Sequence, residues 1–116
     1  MPNYYYGCEA DDRLAGTAFD PRYTPPGRKL RAMFSSDIGH WDVPDMDRVL
    51  PEAFEMVEDG AMTEEDFRDF VFGNPVRLLS SLNPDFFEGT AVEAEVDAFL
   101  GSDGAATTAR RRALPS

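Results

Sequence analysis

From Asp45 to Leu100 the apolar residues recur at steps of three and four. Val49, Leu50, Ala53, Phe54 and Val57 form one such stripe, the mark of an amphipathic helix, with Pro51 near its start and Gly60 as its stop. Thr63 and Asp66 stand at capping-box spacing ahead of Phe67, Phe70 and Val71, which predicts a second helix. Gly73 should stop that helix. Asn74 can then cap a third, with Pro75 at its first position and Val76, Leu79 and Leu82 as its stripe. Thr90 and Glu93 repeat the capping-box spacing, with Val92, Val96, Phe99 and Leu100 as the apolar residues of that helix. After Gly101 the composition turns to Gly, Ser, Ala and Thr and then to a run of arginine, so 101–116 is expected to be a disordered tail.

Ahead of Asp45 the pattern is different. Residues 3–8, NYYYGC, read as a short strand, and 20–29, with its prolines and glycine, as a loop. The run Leu30–Phe34 is apolar on both sides apart from Arg31, as in a parallel sheet covered by helices. The order is therefore strand, loop, strand and then three or four helices. This is an α/β chain, mostly helical. Two short strands do not make a stable sheet by themselves, and a parallel pair needs a crossover connection. Further sheet neighbours are expected.

Length and charge narrow the picture. The chain has 116 residues, room for one small domain, and carries 11 Lys+Arg against 22 Asp+Glu, a net charge of -11. A field of that sign repels phosphates and anionic lipid, so neither nucleic acid nor a membrane is an expected partner. A hydrophobic share of 42% with nine phenylalanines is too high for a wholly solvated chain. A single cysteine permits no internal disulfide, and neither a signal-peptide pattern nor a membrane-length apolar run is present; a soluble cytoplasmic protein is expected.

Candidate chemistry gathers after the second strand, in MFSSDIGHWD. Asp37 lies just past the strand's C-terminal end, where α/β folds build their sites; the competing role is a turn closed on its own backbone with Ser35 and Ser36. His40, the only histidine, could bind a metal, contact substrate or bond a loop carbonyl. One histidine and one cysteine cannot assemble an ordinary N/S zinc site, and the stretch from Asp42 to Asp47 does not match a calcium loop. Nucleophilic catalysis has little support. The serines lack a G-x-S-x-G elbow, and Cys8 stands beside Glu9, which raises a thiol's pKa. Glu9, Asp11 and Asp12 form either a solvated turn or one wall of a pocket.

The stretches MFSSDIGHWDVPDM and DFVFGNPVRLL, with YYYGCEADD ahead of them, resemble the C-terminal end of the metal-dependent amidohydrolases, in the branch that includes aminocarboxymuconate semialdehyde decarboxylase. The likeness spans residues 4 to 100. Its motifs are Ser36-Asp37 at the last strand and Asn74, Arg77 and Leu78 in the closing helices. The resemblance implies the last two strands of a (β/α)8 TIM barrel followed by C-terminal helices, over residues 1–100. It implies hydrolysis or non-oxidative decarboxylation of a small-molecule substrate with a divalent metal, zinc foremost. Asp37 would be metal ligand and general base, accepting a proton from water activated by the metal. His40 would touch substrate, and Glu9, Asp11 and Asp12 would line the pocket. Such enzymes take further ligands from histidines on earlier strands, whereas this sequence has one histidine, and a whole barrel needs ~200 residues. The chain is therefore expected to be a fragment, inactive alone and without tight metal binding. It would be completed by the missing N-terminal barrel portion, as in a split enzyme, or by homo-oligomerisation. The competing class is a small acidic protein-interaction module.

Overall fold

The computed structural model describes residues 4–10, 12–25 and 28–113, from 104 onward as backbone only. Two strands, β1 (Tyr6–Glu9) and β2 (Ala32–Ser35), pair in parallel with Tyr6 opposite Ala32 and Glu9 opposite Ser35. Both begin later along the chain than the sequence pattern predicted, and β2 runs one residue further, to Ser35. Among the described residues the sheet has these two strands alone. Among the described residues four α-helices follow: α1 (Val49–Glu58), α2 (Glu64–Arg68), α3 (Asn74–Leu82) and α4 (Glu93–Ala113). The chain is thus α/β and about half helical. No described helix is long and apolar enough to cross a membrane. The expected tail, 101–116, falls mostly outside the residues whose side chains are described.

The parallel pairing requires a crossover, and the chain supplies one where the apolar pattern is silent. Arg13–Phe19 forms a 3-10 helix whose first turn is capped by Asp12, its carboxylate accepting from the Leu14 N–H at 3.0 Å. Ala15, Gly16, Ala18 and Phe19 are buried there. Gly16 is needed for close approach, because a Cβ at this position would lie 2.6 Å from the Ala61 carbonyl oxygen.

Chain contacts divide the molecule into two units, Met1–Pro75 and Val76–Ser116. The core of the first gathers the crossover, β2, α1 and the helical segment after α2 around Phe70, which is fully buried. Phe70 meets Phe19 and Phe34 edge to face, with ring centroids 6.3 and 6.0 Å apart. Helix α1 stops as its glycine predicts. Gly60 takes φ 77°, its N–H bonds the Val57 carbonyl at 3.1 Å and that of Ala61 the Met56 carbonyl at 2.8 Å, a Schellman closure. Thr63 caps α2, accepting from the Asp66 N–H at 3.0 Å, but the box is half closed: the buried Asp66 carboxylate turns to Lys29, whose Nζ lies 2.5 Å away.

The predicted stop at Gly73 is not observed. The backbone runs helically through Gly73 and Asn74 into Pro75 by way of a π-turn over Asp69–Gly73, in which the Asn74 N–H reaches back to the Asp69 carbonyl. A proline in a regular helix removes a hydrogen bond and its ring clashes with the preceding turn. One wide turn directly before Pro75 takes up that misfit. Asn74 is consequently not an N-cap; it is buried, and its side-chain amide donates to the Ala32 carbonyl of β2.

In the second unit Val76 and Val96 are buried. The Arg77 guanidinium is held by both oxygens of Asp103, at 3.1 and 2.9 Å, and lies over the Phe99 ring at 5.1 Å. The second capping box is shifted by one residue. Glu93 accepts from the Gly89 N–H at 3.0 Å, and the Thr90 hydroxyl donates to the Phe87 carbonyl. Gly89, at φ 77°, turns that N–H toward the helix start.

Candidate functional site

The chain leaves β2 through a tight turn. Asp37 sits two residues beyond the strand with φ 52°, a left-handed conformation that aspartate tolerates better than most residues, and Gly39 follows at φ 100°. The turn is closed by the His40 N–H on the Asp37 carbonyl and the Val43 N–H on the His40 carbonyl, each at 3.1 Å. Ser36 acts as a turn residue, its hydroxyl accepting from the Ile38 N–H at 3.4 Å. Coiling the chain in this way brings three side chains together. His40 Nδ1 lies 2.5 Å from Asp42 Oδ1 and 3.6 Å from Asp37 Oδ2. One ligand atom from each of Asp37, His40 and Asp42 falls within 4.8 Å of the others.

This turn forms one side of an open cavity of about 250 Å³ at the C-terminal end of the sheet. The end of β1 contributes Glu9 and Ala10, the turn contributes Ser36, Asp37 and Asp42, and α1 contributes Val49, Glu52 and Glu55. Arg48 is the one basic side chain among the described residues that line it. Carboxylates from three separate segments therefore face one small volume, and the cavity favours cations over anions.

The electrostatics within the turn follow from its hydrogen bonds. The imidazole of His40 is raised above its ordinary pKa, first by its bond to Asp42, then by the charges of Asp42 and Asp37. Asp42 is lowered, chiefly by the same bond. Cys8, by contrast, has its thiol pushed up, first by burial and then by the charge of Asp12, which disfavours the thiolate and any nucleophilic role.

The residues singled out from the sequence are distributed as follows. Asp37 and Glu9 share the cavity, from the ends of the two paired strands. His40 stands beside Asp37 in the turn, half exposed. The Asp12 carboxylate is engaged on the Leu14 N–H as a helix cap, and Asp12 does not line the cavity. Asp11 lies outside the described residues. Asp42, Glu52 and Glu55 also line the cavity, beyond the residues expected from the sequence. Asp42 carried a local signal, the His-x-Asp spacing within one turn. The glutamates carried none, because they reach the cavity only through the way α1 packs beside the sheet.

Two carboxylates and an imidazole offering oxygen and nitrogen donors are a donor set suited to a divalent cation such as zinc. Comparison of the chain with protein-family models, with curated proteins and with solved structures returned no match.

Proposed function

We propose that this chain is the closing segment of a metal-dependent amidohydrolase-type barrel, a hydrolase or non-oxidative decarboxylase acting on a small molecule, with β1 and β2 as its last two staves. One observation carries the reading. The carboxylate of Asp37 stands at the C-terminal end of a parallel strand and shares a cavity with Glu9, from the end of the neighbouring strand. Barrel enzymes place their chemistry at that end. Asp37 is the ligand and proton acceptor in this reading. His40 and Asp42 converge with it, and Glu9 lines the same cavity from the end of β1. A divalent cation held by Asp37 with His40 and Asp42 would supply Lewis acidity and lower the pKa of water at the site. Asp37 would serve as the proton acceptor, and the hydrogen bond to Asp42 orients the His40 ring. With one histidine in the sequence, the remaining ligands come from earlier staves, so the chain alone binds metal weakly and turns nothing over.

The test is the coding sequence upstream, or a partner gene, joined to a functional assay. An in-frame or co-transcribed stretch encoding a His-x-His strand is expected. Co-expression with it should yield metal-dependent turnover that Asp37→Asn abolishes. Turnover that survives Asp37→Asn would overturn the assignment.

A second reading, an acidic interaction module, is favoured by apolar side chains in the turn and helix start beside the cavity: Ile38, Trp41, Met46 and Leu50 are all exposed, Trp41 at 86%. Sedimentation separates the two. An interaction surface gives a heavier species that Trp41→Ser with Met46→Ser returns to the monomer, whereas the barrel segment gains mass only with its complementary portion.

A further inference from the structure

We infer that Asn74 is a positioning residue for the Asp37 site: its buried side-chain amide fixes the backbone of β2 and thereby the place of the carboxylate at the strand's end. The inference rests on the proposed role of Asp37. Its physical basis is separate and lies in the strand register.

In the parallel ladder the Tyr6 N–H donates to the Arg31 carbonyl at 3.0 Å. Successive peptide groups of a strand point to opposite edges, so Arg31, Met33 and Ser35 turn their carbonyls toward β1, and Ala32 turns its carbonyl away from it. On that outer edge the described residues include no strand. The Ala32 carbonyl, on a residue with no exposed surface, nevertheless has a partner: Asn74 Nδ2 donates to it at 2.9 Å. Asn74 itself is 5% exposed. A helical side chain here does what a neighbouring strand does elsewhere in a sheet.

Phe70 and Asn74 stand four residues apart and so share one face of the helical run, which is the buried side. The same stretch of helix therefore holds β2 twice, through Phe70 on the ring of Phe34 and through Asn74 on the Ala32 carbonyl. Strand residues covering about 10 Å separate Ala32 from Ser35, so Asn74 acts through the backbone and not by direct contact with Asp37. Removing the amide frees β2 at one of two anchors, and the turn that collects Asp37, His40 and Asp42 loses its fixed origin.

The test uses the full chain in solution. In the native protein a scalar coupling across the hydrogen bond between Asn74 Nδ2 and the Ala32 carbonyl carbon is expected; a freely exchanging Asn74 amide without that coupling overturns the inference, and this measurement needs no variant. Asn74→Leu, near in size but unable to donate, is then compared with Thr63→Ala, which weakens the same helical run at its start. Amide resonances from Phe34 to Asp42 should shift and broaden in Asn74→Leu and keep their positions in Thr63→Ala. A folded Asn74→Leu with those signals in place refutes the positioning role. Zinc titration of the native chain gives the link to function: affinity that Asp37→Asn removes should fall by about tenfold in Asn74→Leu, the loss usual when a group that orients a ligand is deleted. Because the chain alone holds metal weakly, zinc uptake too weak to measure at Asp37 leaves the proposed function standing, and the amide signals then decide the role of Asn74.

Discussion

Replacing Phe70 tests whether the first unit is organised around one buried ring, as the packing indicates. Phe70 has no exposed surface and meets Phe19 and Phe34 edge to face. Truncation to alanine removes the ring and leaves a cavity, at a cost of about 3–5 kcal/mol. A unit of this length, Met1–Pro75, has a total stability of about 4–11 kcal/mol at the usual value per residue. Phe70→Ala therefore consumes a large share of it and would leave part of the population unfolded. Phe70→Leu is the better instrument. It keeps most of the apolar volume and removes both aromatic pairs, each worth about 0.5–1.5 kcal/mol beyond burial, so the expected loss is about 1–3 kcal/mol. Urea unfolding followed by far-UV circular dichroism measures it; Trp41, 86% exposed, would make fluorescence a poor reporter. With m near 1 kcal/mol/M, as for a small protein, the midpoint should move by roughly 1–3 M at unchanged m. A shift below about 0.5 M at equal m would refute the central place of Phe70 and the packing of β2 on the helical segment after α2.

Three further outcomes are expected. An NMR titration of the His40 ring should show a midpoint above its ordinary 6.5, and Asp42→Asn should return most of the shift. Because the folded value lies above the unfolded one, the pair's contribution to stability is fully present below about 6.5 and is lost as pH rises through the folded midpoint; an unshifted midpoint would mean that the His40–Asp42 bond is absent in solution. Gly16→Ala would place a methyl 2.6 Å from the Ala61 carbonyl oxygen, a backbone atom with little room to retreat, and should cost about 1–3 kcal/mol in urea unfolding, whereas an unchanged midpoint would show that the crossover does not pack against that loop. Thr63→Ala should cost about 1 kcal/mol through loss of the cap on the Asp66 N–H, and a loss under a few tenths would show the cap to be open.

What the sequence could reveal follows from which forces were local. Helix α1, its Gly60 stop and the Thr63 cap are short-range features, and the structure has all three, but the buried face of α1 is Val49, Ala53 and Met56, with Leu50 and Phe54 of the predicted stripe exposed. The position of Asp37 was legible for the same reason: an apolar run ending in a polar cluster marks where a strand leaves the sheet. Gly73-Asn74-Pro75 misled because each residue disfavours a helix locally, whereas the helix is continued there by a wide turn and by the amide's bond to a strand 42 residues away in sequence. Arg13–Phe19 carried no apolar period because its small residues serve close approach to another loop. Glu52 and Glu55 read as the polar face of α1, and only the packing of that helix beside the sheet turns them toward Asp37.

Asn74 also bears on how the sheet can grow. A barrel requires β2 to take a further strand on the edge away from β1, and the amide already occupies the outward carbonyl at Ala32. The next peptide group that faces outward is that of Phe34, one ladder step nearer the Asp37 turn. If the proposed barrel forms, a stave joining here would pair with β2 from Phe34 onward and run past Ser35, alongside the residues that lead into the site. That offset suits the proposed function, since a first stave displaced toward the C-terminal end carries its own ligands to the level of Asp37. Cross-linking or exchange measurements on the completed assembly would decide it: protection of the incoming strand opposite Phe34 fits this geometry, and protection opposite Ala32, with Asn74 displaced from its carbonyl, contradicts it.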